Sequence, residues 1–240
     1  MSNPGQSPDW MRRFYKAVDV APAEGGFAVR LDGRTPRSPA GERLILPTQA
    51  LADLAAADWA AQGENIVPDT MPAVRLAWTA IALQDPETRQ SAIDRVAAFA
   101  GADLVCYFAD GPPGLVERQE RHWGPVIEWA QTALGATFRR AQGIVHQPQP
   151  EATLARIRDL AAAEDAFTLA ALAAATSLFS SAILAFALRQ GELTADAAFA
   201  LSRLDETFQE EKWGVDAEAA FRADAMAAEA VVLERWFAAL

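Results

Sequence analysis

The sequence predicts an α+β protein, with a small antiparallel β-rich N-terminal domain followed by a larger all-helical C-terminal domain. Over residues 1–47, apolar and polar side chains alternate with the period of two that is typical of strands. From Thr48 onward, apolar residues recur every three or four positions, as they do along the buried face of a helix. We therefore divide the 240 residues into a domain of 1–47 and a domain of 48–240.

The N-terminal domain is predicted to be a three-stranded antiparallel meander. Its strands are expected in RRFYKAVDV, FAVRLDG and RLILP, where side chains alternate. Glu24-Gly25-Gly26 and Asp32-Gly33 separate these strands, and such glycine-containing segments favour turns. A sheet this small is not stable alone, so its apolar face needs a cover.

The C-terminal domain is divided into helices by capping residues and helix breakers. The Thr48 hydroxyl can cap a helix that ends near Gly63, and Asp85 before Pro86 can cap another. Further helices are expected at 72–84, 115–134, 151–163, 166–190, 194–212 and 215–239. Residues 103–109, DLVCYFA, fit either a strand or a helix end, and the extended residues near 137–150 predict an internal linker.

The charge of the chain restricts the partners that it can bind. Lys and Arg number 21 and Asp and Glu number 32, which gives a formal net charge of −11. Phosphate backbones and anionic membranes repel such a chain, so we expect no nucleic-acid partner and a protein partner with a basic or apolar patch. No apolar run is long enough to span a bilayer, so we expect no membrane insertion.

The first residues and the cysteine content bear on the compartment. MSNPGQSPDWMRRFYK lacks the apolar core of a secretory signal. One cysteine cannot form an internal disulfide, so the cysteine content does not indicate an oxidising compartment. We expect a cytoplasmic protein in a bacterium, or a mitochondrial-matrix protein if the source is a eukaryote, and we expect it to be a monomer.

The inventory of reactive side chains gives an enzyme little to use. The chain has one cysteine, Cys106, and two histidines, His122 and His146, which excludes thiolate-rich and histidine-rich metal sites. There is no P-loop and no nucleophile elbow in the sequence. We expect no cofactor, a buried and inert Cys106, and a His122 that is hydrogen-bonded at the flank of a helix beside Glu120.

The stretch LDETFQEEKWG, within and just beyond the predicted 194–212 helix, combines four acidic residues with a tryptophan. Successive helix positions lie about 100° apart, which places a core-facing apolar stripe on one side. The stripe consists of Leu201, Leu204, Phe208 and Val215. Three of the acidic residues, Asp205, Glu210 and Glu211, are interpreted as a solvated charge run.

The fourth acidic residue, Glu206, lies on a second side of that helix. Phe199 and Trp213 stand seven residues before and after it, so the three form one ridge, which Gln209 flanks. Glu206 can be exposed, can pair with Arg203 on the same helix, or can await a basic group from a partner. An unpaired buried carboxylate is disfavoured because it costs several kcal/mol.

Stretches along nearly the whole chain resemble, in order, the assembly chaperones of the F-type ATP synthase, specifically the factor that attends the alpha subunit. The resemblance is carried by RRFYKAVDV, LDGRTPRSP, LILPTQALADLAAADWAAQGENIVPDTMP, DLVCYFADGPPGLVERQERHWGPVIEWA and LDETFQEEKWG. Phe108 and Ala82 depart from the family's pattern, which often has a basic residue at the first position and an acidic residue at the second.

The resemblance implies an ATP-independent chaperone, not an enzyme, that binds the unassembled alpha subunit and prevents its aggregation. The family's important acidic residue corresponds here to Glu206, and the expected partner-binding residues are Glu206, Trp213, Phe199 and Gln209. Two other functions remain open. One is an enzyme that acts on a small molecule with carboxylates or His122 in a cleft between the domains. The other is a scaffold subunit that stays bound in a stable complex.

Overall fold

The computed structural model describes residues 11–38, 40–143, 145 and 147–240, and these form an α+β protein with a small antiparallel sheet and many helices. The predicted fold class is confirmed. Two compact units divide the chain. One contains the described residues up to Ile81 together with Ala239 and Leu240, and the other contains Ala82–Ala238. His146 and Trp10 lie outside the described residues.

The sheet of the first unit is the predicted meander. Strands β1 (Val18–Ala23), β2 (Gly26–Leu31) and β3 (Ile45–Leu46) are antiparallel and lie in the order β1-β2-β3. Gly26 is required at the turn, because a Cβ there would lie 2.1 Å from the Leu46 carbonyl oxygen.

The first strand begins later than the predicted RRFYKAVDV. Residues before it pair elsewhere: the Arg13 amide donates to the Glu64 carbonyl at 2.8 Å, and the Met11 carbonyl accepts from the Ile66 amide at 2.8 Å. Backbone groups that are already paired with residues 64–66 cannot also extend the ladder to β2.

Helix α1 (Gln49–Ala60) covers this sheet and packs against β1 and β2 with Leu51, Ala52, Ala55 and Trp59. The Thr48 hydroxyl accepts from the Leu51 amide at 3.1 Å, which confirms the predicted cap. Because α1 supplies the cover that the sheet needs, the structure divides the chain after Ile81, whereas the sequence pattern places the boundary at residue 48. Helix α2 (Pro72–Ala82) follows α1, and its Val74 amide donates to the Asp58 carboxylate at 3.0 Å.

The second unit contains eight α-helices among its described residues. They are α3 (Pro86–Gly101), α4 (Pro113–Trp129), α5 (Glu151–Ala163), α6 (Ala166–Phe179), α7 (Ala182–Arg189), α8 (Ala195–Ser202), α9 (Leu204–Trp213) and α10 (Ala217–Ala238). Asp85 caps α3 through the Thr88 amide at 2.9 Å, as predicted. In the described part of the chain, no helix combines the length and the apolar character that crossing a bilayer requires.

The core of the second unit is formed by α6 and α7, against which α3, α8 and α10 pack. The prediction of one helix over 166–190 is wrong, because Ser180 adopts a left-handed conformation with φ of 52°. The Ser181 hydroxyl then accepts from the Leu184 amide at 3.0 Å and starts α7. Because of this break, the apolar stretch forms two core helices, α6 and α7, and not one.

The ambiguous DLVCYFA stretch forms a 3₁₀ turn (Leu104–Cys106) and a short strand, β4 (Tyr107–Phe108). Strand β4 pairs in parallel with β5 (Ala141–Gln142), which lies inside the segment predicted as a linker near 137–150. The carboxylate of buried Asp103 accepts from the Ile183 amide at 3.1 Å, so it ties this turn to the start of α7.

Candidate partner-binding surface

The predicted 194–212 helix is two helices, because the chain bends at Arg203 between α8 and α9. Arg203 has φ of −114° and ψ of 18°, outside the helical region. The Ser202 hydroxyl donates to the Phe199 carbonyl at 2.8 Å, and this back-bonding by serine bends helices. The single-helix prediction is therefore wrong, and positions on either side of Arg203 do not share one helical register.

Helix α9 is held against α4 by one of its sides. Leu204 and Phe208 are buried, and the Arg118 guanidinium lies 5.2 Å from the centre of the Phe208 ring. Leu201, in α8, is half-buried. The fourth member of the predicted apolar stripe, Val215, is 63% exposed, because α9 ends at Gly214 before it.

Three of the four acidic residues in this stretch are held by specific contacts. Asp205 accepts from the Gln119 amide nitrogen at 2.8 Å. Glu210 pairs with Arg203 at 2.7 Å, and Glu211 pairs with Arg118 at 2.8 Å. Asp205 and Glu211 therefore join α9 to α4, whereas Glu210 pairs with the residue at the start of α9. The interpretation as a solvated charge run holds for Glu211, which is exposed, and not for Asp205 and Glu210, which are half-buried.

The pKa values of two of these carboxyl groups follow from their surroundings. Partial burial raises the pKa of Asp205, although the hydrogen bond from Gln119 opposes this shift. The hydrogen bond from Arg118 lowers the pKa of Glu211. Glu211 therefore stays ionised as the pH falls toward the ordinary range of a carboxyl group, and its ion pair persists with it.

Glu206 differs from these three. Its side chain is exposed, and its carboxylate makes no hydrogen bond or ion pair with any residue that the structure describes. The internal pair with Arg203 that the sequence left open is not formed, because Arg203 pairs with Glu210. Of the alternatives for Glu206, the structure shows the exposed one.

The structure brings three of the four predicted site residues together. Glu206, Gln209 and Trp213 are spaced by three and four residues along α9, so they lie on one side of it, opposite the side that buries Leu204 and Phe208. All three are exposed, Trp213 by 77%. We call these three residues the outer face of α9.

Phe199 does not continue this face along a single helix. It lies in α8, before the bend at Arg203, and is half-buried. The predicted ridge with seven-residue spacing is therefore interrupted between Phe199 and Glu206. Among the described tryptophans, Trp213 is the exposed one, whereas the other five are buried or half-buried.

Two exposed apolar residues that follow the outer face of α9 in the chain were not predicted as site residues. Val215 lies just after α9, and Phe221, in α10, is 75% exposed. A signal for Val215 was present in the sequence, because Gly214 is a helix terminator and removes Val215 from the helical stripe. Nothing in the periodicity of α10 distinguished Phe221.

His122 lines a groove between α4 and α8. The groove has a volume of about 440 Å³ and lies within the second unit, with Val126, Trp129 and Leu201 among its apolar walls. Glu120 does not join His122 there, since it pairs with Arg140 at 3.0 Å. Glu192 is the acidic residue that lines this groove together with His122.

Two further features bear on chemistry. Cys106 is fully buried, and burial raises the pKa of its thiol, so the thiolate form is suppressed. Within the ranges that the structure describes, no group of three or more His, Cys, Asp or Glu side chains is placed to hold a metal ion.

Comparisons with known proteins agree with this architecture. The family model described as ATP12 chaperone protein matches residues 12–131. The mitochondrial protein atp12 of Schizosaccharomyces pombe is 26% identical over 224 residues, which are 89% of this chain and 77% of that protein.

Solved structures match at higher identity. Atp12 from Paracoccus denitrificans is 39% identical, with a TM-score of 0.85 over 95% of this chain and 97% of that one. The Atu1473 protein from Agrobacterium tumefaciens is 41% identical, with a TM-score of 0.88 over 95% of this chain and 85% of that one. Since a family model matches half of the chain and these structures match nearly all of it, the chain belongs to the ATP12 chaperone family, the assembly chaperones of the F-type ATP synthase.

Proposed function

We propose that this assembly chaperone is an ATP-independent holdase for the unassembled alpha subunit of the F-type ATP synthase. It binds that subunit, shields the surface intended for the neighbouring subunit, and prevents aggregation until the catalytic head is built. The observation that carries the proposal is Glu206, an exposed carboxylate on the same helix side as an exposed tryptophan. No residue that the structure describes bonds to this carboxylate.

The outer face of α9 has the composition that a reversible protein contact needs. Trp213 provides a large apolar area with few rotatable bonds, which is typical of residues that contribute most to binding energy. Glu206 adds a charge that is free to pair with a cation of the partner, and Gln209 adds an amide that both donates and accepts. Phe199, on α8, is proposed as an additional contact beside this face.

A holdase of this kind needs no chemistry of its own. An unassembled subunit exposes apolar interface and unpaired strand edges, which aggregate unless they are covered. Covering them requires area and reversibility, and the sequence contains no P-loop that would couple the cycle to nucleotide. We place this activity in the bacterial cytoplasm or the mitochondrial matrix and expect the chaperone to act as a monomer.

The experiment mixes the purified chaperone with isolated alpha subunit. We expect the two to coelute in size-exclusion chromatography, and we expect the chaperone to suppress light scattering by the alpha subunit without hydrolysing ATP. A mixture that shows neither coelution nor suppression contradicts the proposal. A complex that stays bound through the completed catalytic head supports a scaffold subunit instead.

Two variants locate the contact. Glu206→Gln removes the free carboxylate, and Glu128→Gln removes another exposed carboxylate, on α4, as the matched control. We expect the first to weaken capture of the alpha subunit by about tenfold and the second to leave it unchanged. Equal capture by both variants excludes Glu206 from the contact.

A further inference from the structure

The chain from Gln209 to Glu229 contains no buried residue, although it includes four large apolar side chains, of which Met226 is half-buried and three are exposed. Trp213 is 77% exposed, Val215 is 63% exposed and Phe221 is 75% exposed. We call this segment the arm; it consists of the end of α9, the turn at Gly214 and the first half of α10. Exposed apolar residues within nine positions of one another in the chain are typical of an interaction site.

The arm is fixed at both ends, so its exposed apolar residues are not the result of a loose terminus. At one end, the Glu211 carboxylate is paired with Arg118 of α4. At the other end, α10 buries Leu233 and Trp236, and the Trp236 indole donates to the Phe167 carbonyl at 3.1 Å.

The first half of α10 can be helical without a core. Its sequence, AEAAFRADAMAAEA, is rich in alanine, the residue with the highest helix propensity. The Asp216 carboxylate accepts from the Glu218 amide at 2.7 Å, and Arg222 pairs with Glu218 at 3.1 Å. Local interactions therefore stabilise this part of α10, and it does not need to bury Phe221 in order to be helical.

The charge of the arm selects its occupant. Six acidic residues stand against two basic ones in the arm. Glu210 and Glu211 are paired with arginines outside the arm, so the remaining formal excess is two negative charges. Both basic residues are already engaged, since Lys212 lies 4.2 Å from the centre of the Phe208 ring and Arg222 pairs with Glu218. Asp224, like Glu206, is exposed, and its carboxylate makes no hydrogen bond or ion pair with the described residues.

This charge disfavours three classes of occupant. A second copy of the arm carries the same negative excess and is repelled, and anionic lipid surfaces and nucleic acids are repelled for the same reason. A segment that presents lysine or arginine together with large apolar side chains complements both the negative charge and the exposed apolar residues of the arm. Its apolar residues cover Trp213 and Phe221, and its cations pair with free carboxylates.

We propose that the arm binds a cationic amphipathic segment of a client polypeptide. The inference rests on the proposed function only in taking the alpha subunit as that client, because the chemistry of the arm is argued from this chain alone. It extends the contact beyond the outer face of α9 to Val215, Phe221 and Asp224 of the following turn and helix.

The test uses the full chain and two fluorescent peptides. One is an amphipathic helix of leucine and lysine, about 18 residues or five turns long, and the other replaces every lysine with glutamate. Fluorescence anisotropy is expected to show binding of the lysine peptide, weakened by added salt, and no binding of the glutamate peptide. Equal binding of both peptides, or binding of neither, overturns the proposal.

A pair of double variants locates the binding. Trp213→Ala with Phe221→Ala is expected to weaken binding of the lysine peptide by about tenfold or more. Met11→Ala with Phe14→Ala removes two residues of similar exposure, 65% and 64%, outside the arm, and is expected to change nothing. If both double variants bind like the unaltered chain, the arm is not the site. Sedimentation analysis gives a further check. If the unaltered chain is a dimer and only the arm variant is a monomer, the occupant is a second copy, and the proposal is overturned as well.

Parallel capture of purified alpha subunit separates this inference from the proposed function. If the chain captures the alpha subunit but not the lysine peptide, the inference about the arm fails while the proposed function stands. If it binds the lysine peptide through the arm but does not capture the alpha subunit, the proposed function fails while the inference stands.

Discussion

The Arg118 guanidinium donates two hydrogen bonds, each of 2.8 Å, to the two carboxylate oxygens of Glu211, which lies 93 residues later in the chain. This bidentate pair joins α4 to α9 just before the exposed Trp213. It holds α9, which carries the outer face, in a fixed orientation, because a planar guanidinium and a planar carboxylate match in only a few geometries.

Loss of this pair is predicted to loosen α9 without unfolding the protein. Glu211→Gln keeps the shape but removes the charge, and an exposed pair contributes little to global stability. Hydrogen exchange measured by mass spectrometry is expected to be about two- to fivefold faster over 204–213 and unchanged over α6. Glu206→Gln serves as the control, and faster exchange in that variant would contradict the difference between the two carboxylates.

Glu206→Gln is predicted to leave the melting temperature within about 2 °C of the original, because an exposed carboxylate without a partner contributes little to folding. Differential scanning calorimetry measures this directly. A sharp drop in melting temperature, with capture of the alpha subunit intact, would make Glu206 a structural residue and not a partner-binding one.

Trp123 and Trp213 are predicted to differ in how much stability the same substitution costs. The Trp123 side chain is buried, and its indole donates to the Leu201 carbonyl at 3.0 Å, which joins α4 to α8. Trp123→Phe removes this buried hydrogen bond and leaves a smaller ring in the core, so it is expected to lower the free energy of unfolding by about 1–3 kcal/mol. Trp213→Phe is expected to change it by less than about 0.5 kcal/mol, since Trp213 is mostly exposed. Urea unfolding followed by circular dichroism compares the two.

The Thr48 hydroxyl is predicted to stabilise the first unit through two hydrogen bonds. It accepts from the Leu51 amide and donates to the Ala239 carbonyl at 2.7 Å. Thr48→Ala is expected to cost about 1–2 kcal/mol of stability, as is usual for a lost helix cap. Thr48→Ser retains the hydroxyl and is expected to recover most of that loss in the same unfolding measurement.

Asp103 is predicted to make stability depend on pH. Complete burial raises the pKa of its carboxyl group from 3.8 to about 7, although hydrogen bonds from Ser181 and from backbone amides oppose the shift. Between pH 4 and about 7 the folded chain therefore binds a proton that the unfolded chain has released. The contribution of Asp103 to stability is complete below pH 4 and is lost as the pH rises through about 7.

Asp103→Asn isolates this contribution. The variant cannot titrate at this position, so the free energy of unfolding is expected to fall less steeply between pH 5 and about 7 than it does in the unaltered chain. Urea unfolding at several pH values measures both slopes. Parallel slopes in the two proteins would show that Asp103 does not titrate in this range.

Much of the fold follows from local sequence signals. The three-stranded meander and the caps at Thr48 and Asp85 depend on residues close together in the chain, and the structure contains all of them. Local signals did not predict the bends at Ser180 and Arg203, because apolar periodicity continues through both positions. At each bend a serine hydroxyl bonds to the backbone, Ser181 at the start of α7 and Ser202 at the end of α8.

By itself, the sequence determined the fold class, the family and the identity of Glu206 as the residue to test first. Only the tertiary structure decided which of the carboxylates have a hydrogen-bond or ion-pair partner. Asp205 and Glu211 are held by Gln119 and Arg118, which lie 86 and 93 residues earlier in the chain. Helical periodicity predicts the side of a helix on which a residue lies, but the approach of another helix decides which carboxylates gain a partner. Among the described residues, Glu206 gains none.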